Sequence, residues 1–194
     1  MEKKRLGIGF LGGGFISRFH IQSLLGVRDV DVAGVFSKTK QSAEDTAALA
    51  NDLGIGPAKA FNNITEMVAD PGVDAIWVCS PNYARIETFE EIANAVNSDK
   101  GKLIGVACEK PLGRNVAEAK KVLELTQSAG LLDGYLENQV FSPSITRGKE
   151  IIWARGAATT GRPFLARAAE EHSLSLIHIS EPTRPRLISY AVVC

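Results

Sequence analysis

Three consecutive glycines, Gly12-Gly13-Gly14, stand between an apolar run of strand length, Arg5 to Leu11, and a stretch with apolar residues at helical spacing, Phe15 to Leu25. No other feature of the chain restricts its fold as much. A strand that feeds a helix through a glycine turn opens a βαβ unit, and the same alternation continues downstream. Strands are predicted at Val30 to Phe36, Lys59 to Phe61, Ala75 to Cys79, Leu103 to Cys108 and Leu131 to Tyr135. Helices are predicted between them at Ser42 to Leu53, Ile64 to Ala69, Tyr83 to Val96 and Asn115 to Ala129. Gly54 and Gly130 fall where left-handed helix stops belong. Near-continuous apolar strands separated by helices mean a parallel sheet covered on both faces, so the fold class is α/β and doubly wound.

After Gly134 the pattern changes. Tyr135 to Phe141 reads as extended, Ser144 to Ala154 as helical, and Phe164 to Glu170 as extended again. A stretch of about forty residues is too short to bury its own core. Residues 1–134 are therefore expected to form a nucleotide-binding domain, and 135–173 the incomplete start of a second one.

Composition excludes several functions. Lysine and arginine total 22 and aspartate and glutamate 22, so the chain lacks the basic excess that replaces phosphate counterions in a nucleic-acid binder. At 45% hydrophobic residues there is enough apolar material for a core. Cys79, Cys108 and Cys194 are too scattered for a disulfide framework or a zinc site and read as reduced cytosolic thiols. Lys3, Lys4 and Arg5 before an apolar run imitate a secretory signal, but the glycines break that run and Arg18-Phe19-His20 replaces a cleavage site. No apolar stretch reaches the roughly 20 residues of a membrane span. A cytoplasmic protein without membrane or nucleic-acid partners is expected.

The glycine loop has a chemical reading. Gly12 permits the tight turn, Gly14 lets backbone approach a pyrophosphate, and Ser17 is small enough at the third position for helix and sheet to pack closely. The N–H groups of Phe15 and Ile16 then face the anion at the positive end of the helix dipole. A carboxylate at the end of the second strand would accept from the ribose 2′-hydroxyl of NAD. Here the strand ends Val35-Phe36-Ser37-Lys38-Thr39-Lys40, a hydroxyl and two ammonium groups, which suit the 2′-phosphate of NADP. NADP is therefore the expected cofactor, with NAD the alternative. A methyltransferase would leave the third loop position unexplained.

Two more motifs lie at strand ends: Trp77-Val78-Cys79-Ser80-Pro81-Asn82 and Glu109-Lys110-Pro111-Leu112. Together with the glycine loop they resemble the glucose–fructose oxidoreductase, inositol dehydrogenase and rhizopine-catabolism family (Gfo/Idh/MocA), over residues 5 to about 173. The resemblance implies a Rossmann domain followed by an α/β substrate domain. It implies an oxidoreductase that moves a hydride between nicotinamide and the carbinol carbon of a sugar or cyclic polyol. It assigns Lys110 as the catalytic group that assists proton transfer from the substrate hydroxyl. It places Glu109, Ser80, Pro81 and Asn82 at the cofactor, and it implies a homo-oligomer for the full-length protein. Arg85 departs from the family, where histidine is common, and so does Gln139-Val140 before Phe141-Ser142-Pro143. Gly161-Arg162-Pro163-Phe164 resembles the start of the first long strand of the family's second domain. A non-catalytic dinucleotide sensor remains the alternative, although it has no need of a lysine beside nicotinamide.

From Leu174 the sequence changes character. Leu174 to Arg184, and then Ile188 to Val192, resemble a translated sequencing-library adapter. The segment 174–194 is expected to be non-native, and the chain to be a truncated and inactive form whose second-domain acid–base residues are missing.

Overall fold

A computed structural model of the chain describes residues 5–156, 159, 161, 166–167 and 190–191. Two compact units divide at residue 137, Met1–Glu137 and Asn138–Cys194.

The first unit alternates strand and helix throughout: β1 (Leu6–Leu11), α1 (Phe15–Ser23), β2 (Val30–Phe36), α2 (Lys40–Asp52), β3 (Lys59–Ala60), α3 (Ile64–Ala69), β4 (Ala75–Val78), α4 (Arg85–Asn97), β5 (Gly105–Glu109), α5 (Val116–Ser128) and β6 (Leu132–Leu136). The six strands pair in parallel in the order β3-β2-β1-β4-β5-β6. The chain winds outward from β1 through β2 to β3, then returns to place β4 on the other side of β1 and winds outward through β5 to β6. The carboxyl ends of β1 and β4 thus flank the point where the winding reverses, the place where open α/β sheets bind ligands.

Burial follows from the period of the strands. On β1, Ile8 and Phe10 point to one face and join Ile21, Val32, Val35, Ala43, Ala47 and Ala50 under α1 and α2. Leu11 faces the other way, into a second cluster with Met67, Ile76, Val78, Phe89, Ile92 and Val106 under α3 and α4. Two apolar layers on one sheet are what the near-continuous apolar strands require. The exception is β6, an edge strand on which Leu132 and Tyr135 are exposed.

The helices begin and end where local chemistry directs. Asn63 and Asn115 cap α3 and α5 by accepting the N–H of Glu66 and of Glu118. Gly54 and Gly130 lie just past α2 and α5 at φ +70° and +66°, the left-handed stops expected of them. Predicted boundaries are displaced by a residue or two at several ends. The helix expected over 83–96 starts only at Arg85, because Asn82–Ala84 forms a 3-10 turn. The first helix likewise tightens into a 3-10 turn at Leu24–Gly26.

The extended reading of 135–141 holds for Tyr135 and Leu136, the end of β6, and is corrected over 138–141 in the second unit. Asn138–Phe141 is a 3-10 turn, closed by the Ser142 N–H donating to the Gln139 carbonyl at 3.1 Å. Pro143 then opens α6 (Pro143–Glu150), where its missing N–H costs nothing. The helical path continues as a wider π-helical stretch, Ile151–Gly156. β7 (Ala166–Arg167) pairs antiparallel with β8 (Tyr190–Ala191), so two residues of the adapter-like segment are in a strand. The rest of the extended segment expected over 164–170, and of the adapter-like segment 174–194, lies outside the described residues. Among the described residues no helix is long and apolar enough to cross a membrane.

Gly13 shows how tightly the first unit is built. Its carbonyl accepts from Ser42 Oγ at 2.9 Å and from Thr46 Oγ1 at 3.0 Å, drawing α2 against the loop. A Cβ on Gly13 would stand 2.5 Å from both the carbonyl oxygen and the hydroxyl of Ser42. Backbone cannot yield as a flexible side chain does, so Gly13→Ala is expected to lower stability by about 1–3 kcal/mol. A shift of the urea midpoint to lower concentration at unchanged slope would record it.

Candidate functional site

Four loops meet at the carboxyl edge of the sheet. The first, between β1 and α1, carries the glycines. Gly12 adopts φ +115°, and a Cβ there would lie 3.2 Å from the Cys79 carbonyl group, so the position is restricted to glycine by conformation and by contact. Its N–H donates to the Phe36 carbonyl at 2.8 Å, fixing the turn to the end of β2. Gly14 is the N-cap of α1, and no side chain caps the helix. A Cβ on Gly14 would meet open space. The first-turn N–H groups, those of Phe15 and Ile16 among them, lie beyond the reach of intrahelical acceptors, the usual condition for an anion site. Ser17 is buried, as its place in the loop pattern requires.

The second loop follows β2. Ser37 and Lys38 line a cavity of about 230 Å³ together with Gly12, Ser80, Pro81 and Tyr83. The Lys38 ammonium stands 5.9 Å from the centre of the Tyr83 ring. Lys40, the other ammonium of that segment, pairs instead with Glu44 at 3.6 Å on the first turn of α2. Among the described residues no carboxylate lines this cavity.

The third and fourth loops follow β4 and β5. Ser80 and Pro81 form part of the cavity wall, and Asn82 opens the 3-10 turn into α4. Ser80 Oγ is buried with no hydrogen-bond partner among the described residues. Glu109 ends β5 in a buried position, and its carboxylate makes two contacts: Oε1 lies 2.7 Å from His20 Nε2, and Oε2 accepts the Lys110 N–H at 3.0 Å. The Lys110 side chain is exposed at the same edge, followed by a cis peptide to Pro111.

Arg85 joins these last two loops. It is 3% exposed, on the first turn of α4. Its Nη1 donates to the carbonyls of Glu109 and Pro111 and to Cys108 Sγ at 3.0 Å. Its Nε and Nη2 donate to the Ser80 carbonyl at 3.4 and 3.3 Å. The residues on each side of Lys110 and the residue at the cavity wall thus share one guanidinium. Burial pushes the Cys79 thiol up to about 12 and the Cys108 thiol up to about 11, the Arg85 charge only partly opposing it. Burial thus favours the neutral thiol at both, the opposite of what an activated nucleophile requires.

The candidate catalytic and cofactor-binding residues gather at one edge: Gly12, Gly14, Phe15 and Ile16 after β1, Ser37 and Lys38 after β2, Ser80, Pro81 and Asn82 after β4, Glu109 and Lys110 at β5. Two residues that organise the site were not recognised. Arg85 registered only as a departure from the family pattern, yet it begins the spacing Arg85, Thr88, Phe89, Ile92 that marks the buried stripe of α4. A charged residue at the head of an apolar stripe is a usable signal. For His20 no spacing links it to a glutamate 89 positions away.

Comparison with known proteins shows the family. Residues 6–134 match the Gfo/Idh/MocA family model, described as an oxidoreductase family with an NAD-binding Rossmann fold. The chain belongs to that family. The myo-inositol 2-dehydrogenase of Thermotoga maritima is 28% identical over 82% of this chain and 43% of its own length. A 1,5-anhydro-D-fructose reductase of Ensifer adhaerens is 30% identical over 82% of the chain and 43% of its own. The scyllo-inositol 2-dehydrogenase (NADP(+)) of Bacillus subtilis is 27% identical over 80% and 43%. Among solved structures, a probable dehydrogenase from Thermotoga maritima aligns at TM-score 0.61 and 28% identity over 76% of this chain and 40% of that one. The protein GenD2 from gentamicin A biosynthesis, in complex with NAD, aligns at TM-score 0.66 and 24% identity over 81% and 41%, a likeness of fold. The chain spans about 43% of the length of these curated relatives.

The edge of this Gfo/Idh/MocA chain fits a nicotinamide dinucleotide. A buried hydroxyl without a partner, Ser80 Oγ, stands at the cavity wall, and open space lies at Gly14 beside an uncapped helix. The clasp by Arg85 can be tested without any ligand. Arg85→Met removes the donors for three carbonyls and is expected to cost roughly 3 kcal/mol of stability. Urea unfolding measures it, and a loss below about 0.5 kcal/mol, the scale of an ordinary surface substitution, would contradict the clasp.

Proposed function

We propose that this chain carries the cofactor half of an NADP-preferring dehydrogenase acting on a sugar or cyclic polyol. The observation that carries the reading is the convergence of an uncapped helix N-terminus, a cavity wall bearing Ser37 and Lys38, and Lys110 on one edge of the sheet. Backbone N–H groups at Phe15 and Ile16 bind the pyrophosphate, with the helix dipole favouring the negative charge. Ser37 and Lys38 receive the ribose end, where a hydroxyl and an ammonium match a 2′-phosphate. The scyllo-inositol relative, whose name specifies NADP(+), supports that preference. Ser80 gives its hydroxyl a partner on the bound group. Lys110 exchanges a proton with the substrate hydroxyl as the carbinol is oxidised or the carbonyl reduced. Nicotinamide, when bound, supplies the hydride acceptor or donor.

Sugar and polyol chemistry is adopted from the inositol and anhydrofructose relatives. Residues 174–194 are left outside the machinery, because their resemblance to translated adapter carries no chemistry.

Two substitutions separate binding from turnover. Lys38→Ala is expected to weaken NADPH by about 1.5–3 kcal/mol, the worth of one charge-assisted phosphate contact, and to leave NADH nearly unchanged. Titration followed by cofactor fluorescence measures both, and equal affinity of the parent for the two cofactors would overturn the preference. In the full-length enzyme, Lys110→Met is expected to lower kcat on a polyol by roughly a hundredfold, the scale of a lost general acid–base. Cofactor affinity should change little, since backbone holds the pyrophosphate. An unaltered kcat would remove Lys110 from the reaction.

A further inference from the structure

The His20–Glu109 contact has no part in the proposed chemistry as it stands. Glu109 is buried at the end of β5, and each of its carboxylate oxygens has a separate donor. His20 Nε2 donates to Oε1 at 2.7 Å, and the Lys110 backbone N–H donates to Oε2 at 3.0 Å. A carboxylate held at one oxygen cannot swing away from the group on the other. Arg85 holds the carbonyls of Glu109 and Pro111, which flank the same residue. The backbone around Lys110 is thus fixed from two directions, by Arg85 through its acceptors and by Glu109 through its donor.

His20 is itself fixed. Its ring stands edge-on to Trp77, centroids 5.1 Å apart at 80°, and Trp77 stands edge-on to the fully buried Phe10, at 5.3 Å and 68°. A continuous path of contacts therefore runs from the core of β1 through Trp77 and His20 to Glu109 and the Lys110 N–H. His20 also lies on α1, a little over one turn beyond the Phe15 and Ile16 N–H groups. The helix that receives the pyrophosphate is the helix that holds Glu109.

We propose that His20 is a positioning residue for Lys110: through Glu109 it sets the Lys110 backbone in register with α1, so that the element that seats the dinucleotide also places the proton-transfer lysine. The inference rests on the reading of Lys110 as the group beside nicotinamide. Its prediction is selective. A side chain with a donor at the place of His20 Nε2 keeps the register, and an apolar one of similar size releases it.

The test compares the parent chain with His20→Leu and His20→Gln by two measurements. The first is hydrogen exchange at the Lys110 amide, which needs no cofactor. His20→Leu is expected to speed it by about tenfold or more, beyond any change at the amides of β1, and His20→Gln to stay near the parent. The second is acetylation of Lys110 with and without saturating NADP+, read by peptide mass spectrometry against the exposed Lys120, with saturation checked by fluorescence. NADP+ is expected to protect Lys110 severalfold in the parent and in His20→Gln, and to lose that protection in His20→Leu. A purely packing role would lower the melting temperature of His20→Leu while leaving exchange at Lys110 and its protection as in the parent, and that result overturns the proposal. If NADP+ fails to protect Lys110 in the parent, the reading of Lys110 beside nicotinamide falls, while the exchange arm still decides whether His20 sets the Lys110 backbone.

Discussion

The site depends on one buried guanidinium. β4 and β5 are neighbours in the sheet, but beyond Val78 and Cys108 their ladder stops and nothing in the strands themselves keeps the two loops together. Arg85 does so, by donating to the carbonyls of Ser80, Glu109 and Pro111. Burying a charge is expensive unless its donors are satisfied. Here the planar fork of arginine supplies five N–H donors spread over three nitrogens, where an ammonium has three on one nitrogen. Loops that would otherwise hydrogen-bond to water become a fixed wall on one side and a fixed lysine on the other.

The opposite wall rests on glycine. Gly12 turns the chain at a conformation closed to other residues and brings β1 against the end of β4, while Gly13 draws α2 against the loop through Ser42 and Thr46. The two arrangements meet at Ser80, whose carbonyl is held by Arg85 and whose hydroxyl is left without a partner beside Gly12 in the cavity wall. An unsatisfied buried hydroxyl costs stability. Its persistence at this place is understandable if a bound group completes it.

The architecture was legible because it is written in period and punctuation. Alternating apolar runs located every strand of the sheet, and β2 ends at Phe36 as read. Glycines at 54 and 130 marked two helix ends, since a left-handed residue leaves a sequence signature. What was not legible were contacts between distant segments. Nothing local announces that His20 will meet Glu109, or that the departure at Arg85 will hold two loops. Asn138–Phe141 was misread for a related reason: a short stretch of mixed residues has no period, and the hydrogen bond from Ser142 to Gln139 decides its shape.

A crystal structure of the chain with NADP+ would show whether the carboxyl edge of the sheet is the dinucleotide site. The pyrophosphate is expected on the N–H groups of Phe15 and Ile16, the Ser80 hydroxyl bonded to the cofactor, and the 2′-phosphate at Ser37 and Lys38. Lys110 is expected beside the nicotinamide, with Arg85 still joining the two loops. A dinucleotide bound away from this edge, or Lys110 turned from the nicotinamide while the Arg85 contacts are open, would contradict that expectation.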